Sequence, residues 1–75
     1  MRDLCVIAHD VRRNWPKVNY AAVPYLDAMG SLNDINGNYG YDSAKSIVLY
    51  FLSNARSWRG PEAKRIKAEL KGMVG

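Results

Sequence analysis

Asp34, Asn36 and Asn38 set oxygen-bearing side chains at alternate positions, the spacing of the first three ligands of a calcium-binding loop. The rest of that pattern does not follow. Position six, which needs glycine for the turn, is Tyr39, and position twelve, which needs a bidentate acid, is Lys45. A cation there repels the metal. Cys5 and His9 stand one helical turn apart and offer two zinc ligands, but a structural site takes four, and the sequence holds no other Cys or His. No metal or other cofactor is expected. Catalysis has as little to build on: the Cys and His share one segment without a partner base, and the aspartates are scattered. Gly37 and Gly40 precede a helix, but no Lys-Ser or Lys-Thr pair follows in the register of a phosphate loop. The chain reads as non-enzymatic.

Recognition chemistry is better represented. Residues 33–42, Asn-Asp-Ile-Asn-Gly-Asn-Tyr-Gly-Tyr-Asp, cannot propagate a helix. Tyr with Asn and Gly is the composition of contact surfaces. Asn36, Asn38, Tyr39 and Tyr41, set beside Arg56 and Arg59, would give anchors with a polar rim for a partner protein. The alternative is that both tyrosines fold back over a small core. A second feature is charge. Residues 1–44 carry four basic and five acidic side chains, whereas residues 45–75 carry seven and two. Lys64, Lys67 and Lys71, with Arg65 beside them, form a basic face suited to nucleic acid, a nucleotide or an acidic protein, or simply to water. Trp58, Tyr39 and Tyr41 would add stacking surfaces if they lie nearby, although Trp58 also continues a core row from Ile47 through Phe51 and Ala55. The basic segment lacks the polar side chains that read base edges, so nucleic-acid binding would rest on charge.

These residues need a scaffold, and the apolar spacing describes one. Leu4, Ile7, Ala8, Val11 and Trp15 predict an amphipathic helix over residues 2–15, with Asp3 in its first turn and Pro16 ending it. A second helix starts near Pro24, after a separate turn at residues 20–23, with Leu26 and Met29 inward and Gly30 weakening its end. The third is predicted over residues 43–58, capped by Asp42; residues 47–52 are apolar all round, the pattern of a central buried helix. Gly60 and Pro61 open a fourth helix to Met73, with Ala63, Ile66, Leu70 and Met73 on one face. The expected fold is all-α: one domain over residues 1–75, a compact bundle of three to four short helices with one long Asn/Gly/Tyr loop before the central helix.

Seventy-five residues lie near the lower limit for a single apolar core, so association with a second copy is one way to enlarge it. One cysteine suits a reducing compartment, and no apolar run suggests a signal peptide or a membrane span, so a cytoplasmic location is expected.

Three blocks carry a resemblance: residues 22–29 (AVPYLDAM), residues 39–52 (YGYDSAKSIVLYFL), and residues 58–63 with 65–70 (WRGPEA and RIKAEL). They resemble a set of small uncharacterised proteins carried by phages, prophages and other mobile elements of Gram-positive gut bacteria, over most of residues 15–71. No activity or site motif is established for that set, so no functional residues carry over. The resemblance implies a binding protein that occupies a host protein, for example a defence complex such as a CRISPR effector, in the host cytoplasm.

Overall fold

The computed structural model describes residues 2–75. Four helices carry the chain: α1 (Leu4–Asn14), α2 (Val23–Met29), α3 (Ala44–Ser53) and α4 (Pro61–Val74). Ahead of α3 the long loop contains a small antiparallel hairpin, β1 (Asn38–Tyr39) and β2 (Asp42–Ser43), in the register Asn38 to Ser43 and Tyr39 to Asp42. The fold is mostly helical, not all-α. The hairpin turn is Gly40-Tyr41, with Gly40 at φ 62°, and among the described residues no non-glycine residue has a positive φ. A glycine in first place is what a two-residue hairpin turn of the II′ kind requires.

Each helix packs on the next around one core, and α4 closes back onto α1. Backbone bonds fix the poles. Leu4 and Cys5 donate their N–H groups to the carbonyls of Asn33 and Leu32 (3.0 and 2.8 Å), so two unpaired donors of the first turn of α1 are met by the chain leaving α2. At the other pole the indole N–H of Trp58 donates to the Asn14 carbonyl at 3.3 Å, tying the end of α1 to the α3–α4 connection. One pole therefore holds the hairpin and the other holds the tryptophans.

Inward faces follow the sequence spacing. Leu4, Ile7, Ala8 and Val11 of α1, Leu26 and Met29 of α2, and Ala63, Ile66, Leu70 and Met73 of α4 are buried. The turn before α2 is organised by Asn19, whose side-chain oxygen accepts from the Ala21 N–H at 3.1 Å. Gly60, at φ 112°, turns the chain into α4, where Pro61 occupies the first position.

α3 departs from expectation three times. Ser43, not Asp42, is its cap: Ser43 Oγ accepts from the Ser46 N–H at 3.1 Å. It ends at Ser53 instead of residue 58, because Ser53 and Asn54 turn their side chains onto the carbonyls of Leu49 and Tyr50, and the Asn54 N–H bonds two carbonyls at once. Ala55 and Trp58 stay buried, but they reach the core from turns. Nor is α3 buried all round. Its inward stripe is Ala44, Ile47, Val48 and Phe51, while Leu49 is 51% and Tyr50 50% exposed.

Trp15 and Trp58 lie face to face (centroids 5.3 Å apart, planes at 7°), and Trp15 meets Phe51 edge-on at 6.4 Å. Trp58→Ala is expected to cost about 3–5 kcal/mol in urea unfolding, a large share of the stability of so small a domain. Ser43→Ala should cost about 1 kcal/mol in the same measurement, and Asp42→Ala much less.

Candidate functional site

The hairpin puts its side chains where water and partners reach them. Asn36, Asn38, Tyr39 and Tyr41 are exposed, and Tyr41, at the turn, is fully so. Asp34 supports the approach: its carboxylate accepts from the Asn36 N–H at 2.9 Å and from the Asn36 amide at 3.3 Å, while the Gly37 N–H bonds the Asp34 carbonyl. This local turn uses the Asp34 carboxylate, the first of the oxygens in the calcium pattern, as an acceptor for Asn36. Ala44 N–H then bonds the Gly37 carbonyl at 2.9 Å, which holds the loop against the start of α3.

Arg56 and Arg59 are also exposed, but they follow the far end of α3. Ten residues of helix span about 15 Å. The six residues expected to act together are thus divided, four at the hairpin pole and two at the tryptophan pole.

Two residues missed by sequence reasoning lie next to the hairpin in the chain. Leu49 and Tyr50 project from the outer face of α3 among Lys45, Ser46 and Ser53, and Tyr50 packs on Tyr25 of α2 at 5.4 Å. The signal was there: core positions at 44, 47, 48 and 51 leave 49 and 50 pointing outward.

The basic face is also redrawn. Arg65 is not free, since its guanidinium bonds Glu62 at 2.6 Å and Asp10 of α1 at 3.3 Å. Asp10 also meets Arg2 at 3.1 Å, and Arg2 holds Glu69 at 2.6 Å, so five charged groups lace α1 to α4. Arg12 pairs with Asp27 of α2. Lys64 and Lys71 are exposed without an ion pair. Lys67 lies half-buried over the Trp58 ring and donates to the Trp58 carbonyl; burial, then Lys71 and Arg59, push its pKa down.

Cys5 is half-buried and donates to the Asn33 side-chain oxygen at 3.4 Å, whereas His9 is exposed. Among the described residues no three His, Cys, Asp or Glu are grouped to hold a metal ion, and no helix is long and apolar enough to cross a membrane. An open cleft of about 340 Å³ lies at the hairpin pole between Arg2, Asp3, Asn33–Asn36 and Met73. Its cation, Arg2, is already engaged. No family model matches the chain, and no curated protein or solved structure matches it either. The site must be read from its own chemistry.

The charge lacing has a pH consequence. Burial alone would raise the Asp10 pKa, but hydrogen bonds from Arg2 and Arg65 outweigh it and bring it below the ordinary value. Glu69 is lowered mainly by its hydrogen bond from Arg2. Groups with depressed pKa values stabilise the fold above their unfolded pKa, and that contribution is lost as pH falls through the folded value. The melting temperature should hold near neutrality and drop as pH falls below about 4. In an Arg2→Met, Arg65→Met variant the protein should melt lower at neutral pH and show a flatter drop.

Proposed function

We propose that the chain is a non-enzymatic binding module that docks onto a partner protein through the hairpin and the outer face of α3. One observation carries this reading. Of the six large apolar side chains left exposed among the described residues, four (Tyr39, Tyr41, Leu49 and Tyr50) fall within twelve consecutive residues. A domain this small gains stability from each large side chain it buries, so leaving four outside in one segment points to use of that surface. Tyrosine suits the role: it offers large contact area, few rotors to freeze and a polar tip. Asn36, Asn38, Lys45, Ser46 and Ser53 supply a polar rim.

The resemblance to mobile-element proteins gives the partner its class: a host protein in the bacterial cytoplasm, including components of defence complexes, inhibited by occupation of a working surface. A convex hairpin with Tyr41 at its tip fits a partner with a groove. In this reading Arg56 and Arg59 belong to a different surface.

The test is capture from a nuclease-treated lysate of a Gram-positive host, washed at moderate salt, with tagged wild-type protein and a Tyr39→Ser, Tyr41→Ser variant in parallel. One protein should be recovered in near-stoichiometric amount with the wild type and fall at least tenfold with the variant, whose helical circular dichroism should be unchanged. Equal recovery by both proteins would place the contact elsewhere.

A further inference from the structure

The pole opposite the hairpin gathers cations from three stretches of chain that sequence order keeps apart. Arg13 and Lys17 flank the end of α1, Arg56 and Arg59 lie between α3 and α4, and Lys64 and Lys67 lie in the first two turns of α4. Three contacts hold these stretches together: the Trp15–Trp58 stack, the bond from the Trp58 indole to Asn14, and the bond from the Asn19 amide to the Asn54 carbonyl at 3.3 Å.

Among the described residues none of these six cations has an ion pair, and five of them are exposed. The carboxylate on the same stretches, Glu62, is already bound to Arg65. Among the described residues the side-chain carboxylates left without an ion pair are Asp3, Asp34 and Asp42, none of them on these stretches. Of the eight cations without an ion pair among the described residues, six therefore lie on these stretches and two, Lys45 and Lys71, lie elsewhere; Lys67 is disfavoured as a cation first by burial and then by Lys71 and Arg59.

Shape and an aromatic group narrow the ligand. An open groove of about 370 Å³ runs between Trp58, Arg59, Gly60, Ala63, Lys64 and Lys67. Its floor includes Gly60 and Ala63, too small to fill it, and its rim is cationic. Tyr20 is 87% exposed and follows Asn19, the residue that grips Asn54 two positions before Arg56. Phosphates complement the cationic rim, and an open aromatic face on the connection that Asn19 ties to the end of α3 offers a splayed base a place to stack. Trp58, buried under the groove, positions the rim and does not stack on bases.

We propose that the tryptophan pole binds single-stranded nucleic acid without reading its sequence, phosphates on Lys17, Arg56, Arg59 and Lys64 and a base on Tyr20. This surface is separate from the hairpin and does not rest on the protein-docking reading. The experiment is fluorescence polarisation with a labelled mixed-sequence oligodeoxynucleotide of about 16 nucleotides, the upper size of a small single-strand site. With about four phosphates engaged, affinity should fall roughly fiftyfold between about 50 and 200 mM salt. A Lys17→Ala, Arg56→Ala, Arg59→Ala variant should bind at least tenfold more weakly, Tyr20→Ala several-fold more weakly, and Tyr41→Ala like the wild type. Absence of binding by the folded protein at the lower salt would overturn the proposal. So would displacement of the oligonucleotide by polyglutamate of equal charge, which would assign the pole to acidic proteins. Equal binding of duplex with no effect of Tyr20→Ala would overturn the single-strand assignment.

Discussion

Trp15 and Trp58 lie almost parallel at the top of the core, and the arrangement of the molecule depends on their contact. Each stands just outside a helix, Trp15 at the end of α1 and Trp58 in the connection to α4. Neither position is set by helix geometry. Their stack, with Phe51 edge-on beneath Trp15, makes one aromatic cluster out of three separate elements. A pair of this kind adds about 0.5–1.5 kcal/mol beyond the area it buries. More important is what it fixes. With Trp58 held over Asn14, the α3–α4 connection cannot swing away, α4 lies back along α1, and Arg65 and Glu69 come within reach of Asp10 and Arg2.

That dependence explains how charge comes to be divided. The ion pairs between α1 and α4 consume Arg2, Asp10, Arg65 and Glu69 along the shared seam, and Arg12 with Asp27 does the same between α1 and α2. Partly exposed pairs of this sort add little stability individually, but a network sets the registry of two helices. Among the described residues, most of the unpaired cations lie around the tryptophans, whereas the unpaired aspartates Asp3, Asp34 and Asp42 lie towards the hairpin, where Lys45 also stands. A net charge of +4 understates the field at the basic pole, because opposing charge has been moved away from it.

Much of the scaffold was legible in the sequence. Apolar periodicity located the inward faces of α1 and α4, and Pro24 and Pro61 marked where α2 and α4 begin, because proline is tolerated only in the first turn. What was not legible depended on competition or on distance in the chain. The run over residues 47–52 looks buried on every side, yet a four-helix arrangement covers only the face carrying Ile47, Val48 and Phe51. Ser53 and Asn54 end α3 early by bonding its carbonyls, which apolar spacing does not register. The hairpin escaped notice because Gly40-Tyr41 lacks alternating apolar flanks, so Asn and Gly read simply as helix breakers. Arg65 looked like part of a free basic stripe because its partner Asp10 lies fifty-five positions away.

The candidate site shows the same limit more sharply. Residue types were sufficient to select Tyr39, Tyr41, Arg56 and Arg59 as contact residues, but not to group them. α3, ten residues and about 15 Å long, separates the two tyrosines from the two arginines. Exposed aromatic side chains at one pole and unpaired cations at the other differ in chemistry: the first is costly to leave in water and the second is not. Both poles are positioned by α3, whose Ser43 cap joins the hairpin and whose Asn54 end holds Asn19.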